Sequence, residues 1–124
     1  MQAAINWFEI PVADLDRAQT FYEKVLARKL QRAEFGDGLV HAVFPHGETA
    51  SGGCLQSGPR RASNAASGVR VYLDCSPSLD AALDRAQAAG GIILEARTNL
   101  TGDLGCYAVI GDTEGNEVGL HSLQ

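Results

Sequence analysis

With 124 residues, 45% of them hydrophobic and 20% charged, the chain has the composition of one globular domain with a real core and lies outside the disordered and membrane classes. A formal net charge of −5, with Arg60-Arg61 as the only basic doublet, excludes a nucleic-acid partner, because phosphate binding needs Lys and Arg gathered on one face. No apolar run reaches the roughly 18 residues of a membrane span and no basic-then-apolar leader opens the chain, so no membrane partner and a cytoplasmic location are expected. Cys54, Cys75 and Cys106, odd in number and widely spaced, read as reduced core thiols.

In chain order, residues 5–12 alternate, with Phe8, Ile10 and Val12 on one side and Trp7, Glu9 and Pro11 on the other, which predicts a strand. Asp14 caps a helix whose apolar positions Leu15, Ala18, Phe21, Tyr22, Val25 and Leu26 follow i, i+3, i+4 spacing as far as Lys29. Strands over 31–35 and 39–44 flank a turn at 36–38. After a second turn at 45–49, a fourth strand spans 50–56, where Gly52 and Gly53 either weaken the strand or mark a close backbone approach. Residues 58–67 are rich in Ser, Gly, Ala, Asn and Arg without periodicity and read as a linker.

The pattern then restarts. Residues 69–75 alternate as a strand, Ser76 with Pro77 signals a helix start, and Leu79, Ala82, Leu83 and Ala86 form a helical stripe ended by Gly90 and Gly91. Strands over 92–96, 104–110 and 116–122 follow. The last two are joined by a hairpin in which Asp112 bonds the backbone ahead of it and Gly115 supplies a positive φ. The chain is thus strand, helix, three strands, stated twice, and a repeat of about 55 residues is too long for a solenoid. This is an α+β fold. Two tandem βαβββ modules, residues 1–57 and 68–124 of a single domain, have mixed sheets curving around a shared cavity and helices on the outer faces.

The opening run 5–18, from Ile5-Asn6-Trp7-Phe8 through Val12-Ala13-Asp14-Leu15 to Ala18, followed by Phe21-Tyr22, resembles the start of the vicinal oxygen chelate superfamily. That superfamily includes glyoxalase I, bleomycin-resistance proteins, fosfomycin-resistance enzymes and extradiol dioxygenases. The turn Asp112-Thr113-Glu114-Gly115-Asn116 is similar to the family's closing hairpin, with Thr113 where proline is usual, and Ala88-Ala89-Gly90-Gly91 resembles its second helix end. Metal-dependent members carry His or Glu ligands on four strands, one at each end of both modules. The resemblance puts those positions on Trp7, on Cys54 or Gly53, on Arg70 or a neighbouring valine, and on Gly119. Only Cys54 among them is able to coordinate a cation, so no metal and no cofactor are expected.

By parity the expected cavity is lined by Trp7, Glu9, Cys54, Gln56, Arg70, Tyr72, Asp74, Glu117 and His121. In the binding reading, Trp7 and Tyr72 supply flat apolar contact and Arg70 fixes an anionic or carbonyl group, while Glu9, Cys54, Gln56 and Glu117 complete the lining. For an enzyme, Glu9 and His121 are the catalytic candidates that move a proton. The bland alternative pairs Arg70 with Glu9 or Asp74 in a structural bridge. His41 and His46 have opposite parity and read as surface residues, and Cys54, with no identifiable His or cationic neighbour, as an inert buried thiol.

The function that follows is a glyoxalase/bleomycin-resistance-like, metal-independent protein that binds a small organic molecule between its modules. The alternative is a lyase, isomerase or dioxygenase-related enzyme acting on a small carbonyl or aromatic substrate. The resemblance also implies a homodimer.

Overall fold

The computed structural model describes residues 5–36, 38–48, 50–58 and 68–124. Among them the chain runs β1 (Trp7–Pro11), α1 (Leu15–Leu26), β2 (Gln31–Glu34), β3 (Val40–Val43), β4 (Gly52–Gln56), β5 (Tyr72–Asp74), α2 (Leu79–Ala88), β6 (Ile92–Asn99), β7 (Cys106–Gly111) and β8 (Glu117–Ser122). These elements make two mixed four-stranded sheets, ordered β1-β4-β3-β2 and β5-β8-β7-β6. In each sheet the first strand lies parallel to the last, while the remaining neighbours are antiparallel. A parallel pair cannot be closed by a tight turn, and the helix with the two middle strands makes the return. The predicted linker from residue 59 onward, including Arg60-Arg61, and the turn residues Asp37 and Thr49 lie outside the described residues.

Several element ends differ from the sequence expectation for local reasons. Helix α1 has its N-cap at Asp14, whose side chain accepts from the Arg17 N–H. It stops at Leu26 because Ala27 is left-handed at φ 54°, short of the Lys29 expected. Helix α2 is capped by Ser78, whose hydroxyl accepts from the Ala81 N–H, not by Ser76. Ser76 is committed elsewhere, since both its N–H and its hydroxyl donate to Asp74 Oδ1. Strand β6 runs past Ala96 to Asn99. Two register shifts let this edge strand stay paired with β7.

The apolar parity packs under the helices as the alternation predicts. Ile10, Val12, Leu55, Leu73, Leu120 and Ile110 join Phe21, Tyr22 and Val25 of α1 and Leu79 of α2 in one core that runs through both modules. Each such side chain contributes about 1.5–3 kcal/mol by leaving water. The helices also meet each other. Arg85 of α2 donates from Nε to the Lys24 and Val25 carbonyls, which occupies acceptors left free in the last turn of α1 and puts a cation at its negative end. Cys54, Cys75 and Cys106 are free thiols, all buried. Among the described residues no helix is long and apolar enough to cross a membrane.

Candidate functional site

With the helix-facing parity consumed by the core, the opposite parity decides what a site contains. A cleft of about 590 Å3 opens between β1 and β5, the edge strands of the two sheets. That volume is typical of small-molecule sites. Its wall is mostly apolar, unlike the polar lining expected from parity, because it also takes in Phe8, Phe44 and Leu73 from the core side. Trp7 is 37% exposed and Tyr72 48%, so both present ring surface to the cleft. His46, also on the wall, stands edge-on to Trp7 at 5.9 Å. Its ring covers Gly52, where a Cβ would come within 2.6 Å of it. The glycine at 52 therefore makes room for an aromatic wall, a role consistent with the close approach expected there.

Of the sequence-predicted residues, the cleft gathers Trp7, Arg70, Tyr72 and Asp74. Arg70 reaches neither Glu9 nor Asp74 but Glu117, at 3.3 Å from Nη2 to Oε1. The neighbouring Tyr72 hydroxyl is the main cause that raises the Arg70 guanidinium above its ordinary value, with the Glu117 charge adding to it against the effect of desolvation. Asp74 is held below the usual carboxylate range by the Ser76 hydroxyl and N–H, with smaller help from Arg28 and His121. Arg28, which sits at the end of α1 and also lines the cleft, escaped the sequence reading because it follows a helix and no strand alternation points to it.

Glu9 and Cys54 belong to a separate group. They face each other across the β1–β4 pair, and His41 joins them from β3. His41 is fully buried, which corrects its assignment to the surface, and its Nδ1 lies 3.7 Å from Cys54 Sγ, which corrects the expectation that no His neighbours that thiol. Alternation could have found this residue. Ala42 and Phe44 are core, so His41 must face the other way, onto the inner side of the sheet. Phe35 lies over it with ring centroids 5.2 Å apart, and Trp7 meets Phe35 edge-on at 5.9 Å.

Elsewhere, Gln56 is buried next along β4, and His121 is on β8 opposite Asp74. His121 Nε2 is 2.7 Å from the Leu104 carbonyl, and since a carbonyl only accepts, Nε2 carries the proton. Glu9 and His121, the two alternatives for moving a proton, thus stand on different modules.

Of the residues that the resemblance puts at the family's metal positions, Cys54 has a donor atom for a cation and the others do not. Trp7 offers no lone pair, and Arg70 is itself a cation tied to Glu117. At Gly119 the space for a side chain is filled, since a Cβ there would lie 2.1 Å from the Tyr72 ring. A carboxylate cannot enter without displacing that tyrosine.

A family model described as the Glyoxalase/Bleomycin resistance protein/Dioxygenase superfamily matches residues 4–120. No curated protein sequence matches the chain significantly. Among solved structures, an antibiotic-binding protein from a Streptomyces species superposes with a TM-score of 0.69 at 23% identity, over 97% of this chain and 95% of that one. A mutant of glyoxalase I from Zea mays gives 0.70 at 23% identity, over 95% of this chain but only 45% of the longer maize chain. A hypothetical protein from S. aureus gives 0.64 at 21% identity with 98% of each chain covered. At these identities the likeness is one of fold.

Proposed function

Since the chain belongs to the glyoxalase, bleomycin resistance protein and dioxygenase superfamily, we propose that it binds a flat small organic molecule bearing a carbonyl or carboxylate in the cleft between its modules. The observation that carries this reading is the cleft itself, with Trp7 and Tyr72 offering ring faces and Arg70 placed beside them as the polar anchor. In this reading Glu117 holds Arg70 in place, while Glu9, Cys54 and Gln56 support the wall behind Trp7 and move no proton. His121 likewise serves structure. Binding by shape and aromatic contact needs no cation at the family's metal positions. An antibiotic-binding protein of the same fold supports sequestration as a use for such a cleft.

The proposal extends to a single domain that works as a cytoplasmic homodimer. Support for the dimer comes from the edge strand β6, which leaves Ile92 and Leu94 exposed. A monomer in light scattering at micromolar concentration would remove that part.

Trp7 is the only tryptophan, so its fluorescence reports on the cleft directly. Compounds that raise the melting temperature in a screen of planar carboxylates and ketones should quench or shift Trp7 emission, and Trp7→Ala should weaken their binding about tenfold or more. A screen that finds no stabiliser, or stabilisers that leave Trp7 emission untouched, sinks the reading.

A further inference from the structure

Behind the Trp7 wall of the cleft, Glu9, His41 and Cys54 bring three side chains with metal-ligating atoms together. One donor atom from each residue lies within 4.8 Å of the others. Three neighbouring strands supply them, and all point to the inner side of the first sheet. Cys54 Sγ and His41 Nδ1 are 3.7 Å apart. Two ligands of a tetrahedral cation bound at about 2.3 Å through sulfur and about 2.0 Å through nitrogen stand about 3.6 Å from each other. The pair already has the spacing of two such ligands.

Burial and chemistry narrow the choice of ion. His41 and Cys54 are fully enclosed, Glu9 is half-buried, and Phe35 lies over His41 with Trp7 edge-on to it. A set of one thiolate, one imidazole and one carboxylate suits a borderline-soft ion that accepts four ligands, and does not suit magnesium or calcium, which require mostly oxygen. We propose that Glu9, His41 and Cys54 bind a zinc-class divalent cation within module one, with a fourth position left for water. Cys54 stands at one of the positions that the resemblance gives to the superfamily's metal, but Glu9 and His41 do not, and the whole set lies within one module. On binding, the Cys54 S–H bond breaks, its proton leaves to bulk water, and sulfur bonds the metal, so affinity should rise with pH.

Cobalt(II) titrated into the full chain is the direct probe, because thiolate ligation produces a charge-transfer band and tetrahedral geometry an intense visible spectrum. The expected result is saturation at one ion per chain, displacement by zinc, and loss of the charge-transfer band in Cys54→Ser but not in Cys106→Ser, a buried thiol of the other module that bonds the Ser122 carbonyl. Glu9→Gln should weaken cobalt binding by about 100-fold while the protein stays folded. An unmodified chain that shows no band overturns the site, as does a band that survives Cys54→Ser. Should Cys54→Ser fail to fold, unchanged cobalt affinity in Glu9→Gln overturns it equally.

Discussion

In module two the turn that joins β7 to β8 is fastened onto module one, whereas the connection from β3 to β4, which holds the same place in the duplicated plan, borders the open cleft. The difference lies in a few side chains. Asp112 accepts from the backbone of Glu114 and Asn116, from Asn116 Nδ2, and from the hydroxyl of Tyr22 on α1 at 2.6 Å. Asn116 Nδ2 also donates to the Pro11 carbonyl. Glu114 accepts from the N–H groups of Ala13 and Asp14 and from the Arg17 guanidinium. At the matching place in module one stand Pro45, His46 and Gly47, and His46 covers Gly52 instead of crossing to the other module. One copy of the plan is a clamp and the other lines the cleft.

The sharpest way to break this contrast is Asp112→Ala. Tyr22 is fully buried and its hydroxyl would lose its acceptor, so about 3 kcal/mol of stability should be lost, read as a lower urea midpoint at unchanged slope. A loss under about 1 kcal/mol would mean that the turn is not a clamp.

Glu114→Gln should cost less, about 2 kcal/mol, and in a pH-dependent way. Burial alone would raise the Glu114 carboxyl, but Arg17, the Asp14 and Ala13 N–H groups and the Thr113 hydroxyl outweigh it and bring it down to about 2 from an ordinary 4.5. A folded value below the unfolded one gives stability that is complete above about 4.5 and lost as pH falls toward 2. Unfolding free energy should therefore drop more steeply in this window for the native chain than for the Gln variant. Parallel curves would remove Glu114 from the account.

The smallest effect belongs to the other turn. Glu48 is exposed, and Glu48→Ala should change stability by no more than about 0.5 kcal/mol. A loss comparable to that of Glu114→Gln would erase the asymmetry between the modules.

Much of the fold was legible from period alone. Alternation in β1 and β8 separated Phe8, Ile10 and Val12, and Val118 and Leu120, from their polar neighbours, and the 3.6-residue stripe of α1 named all of its buried positions. Boundaries were less so. Ser76 and Ser78 are equally good caps by residue type, and only the capture of Ser76 by Asp74 assigns the role to Ser78. The site was legible in part. Parity pointed Trp7, Glu9, Cys54, Arg70 and Tyr72 away from the core, but it could not say which of them share a cleft.

By itself, then, the sequence determined the two-module plan, the identity of the core, and the hairpin turn with its positive-φ Gly115. All of these rest on local periodicity or on the chemistry of single residues. Tertiary structure alone decided that Arg70 pairs with Glu117, that Tyr72 fills the space above Gly119, and that His41 comes to rest beside Cys54. Those outcomes depend on strand register and on how two sheet edges meet. Such long-range geometry joins residues tens of positions apart, beyond what any local pattern records.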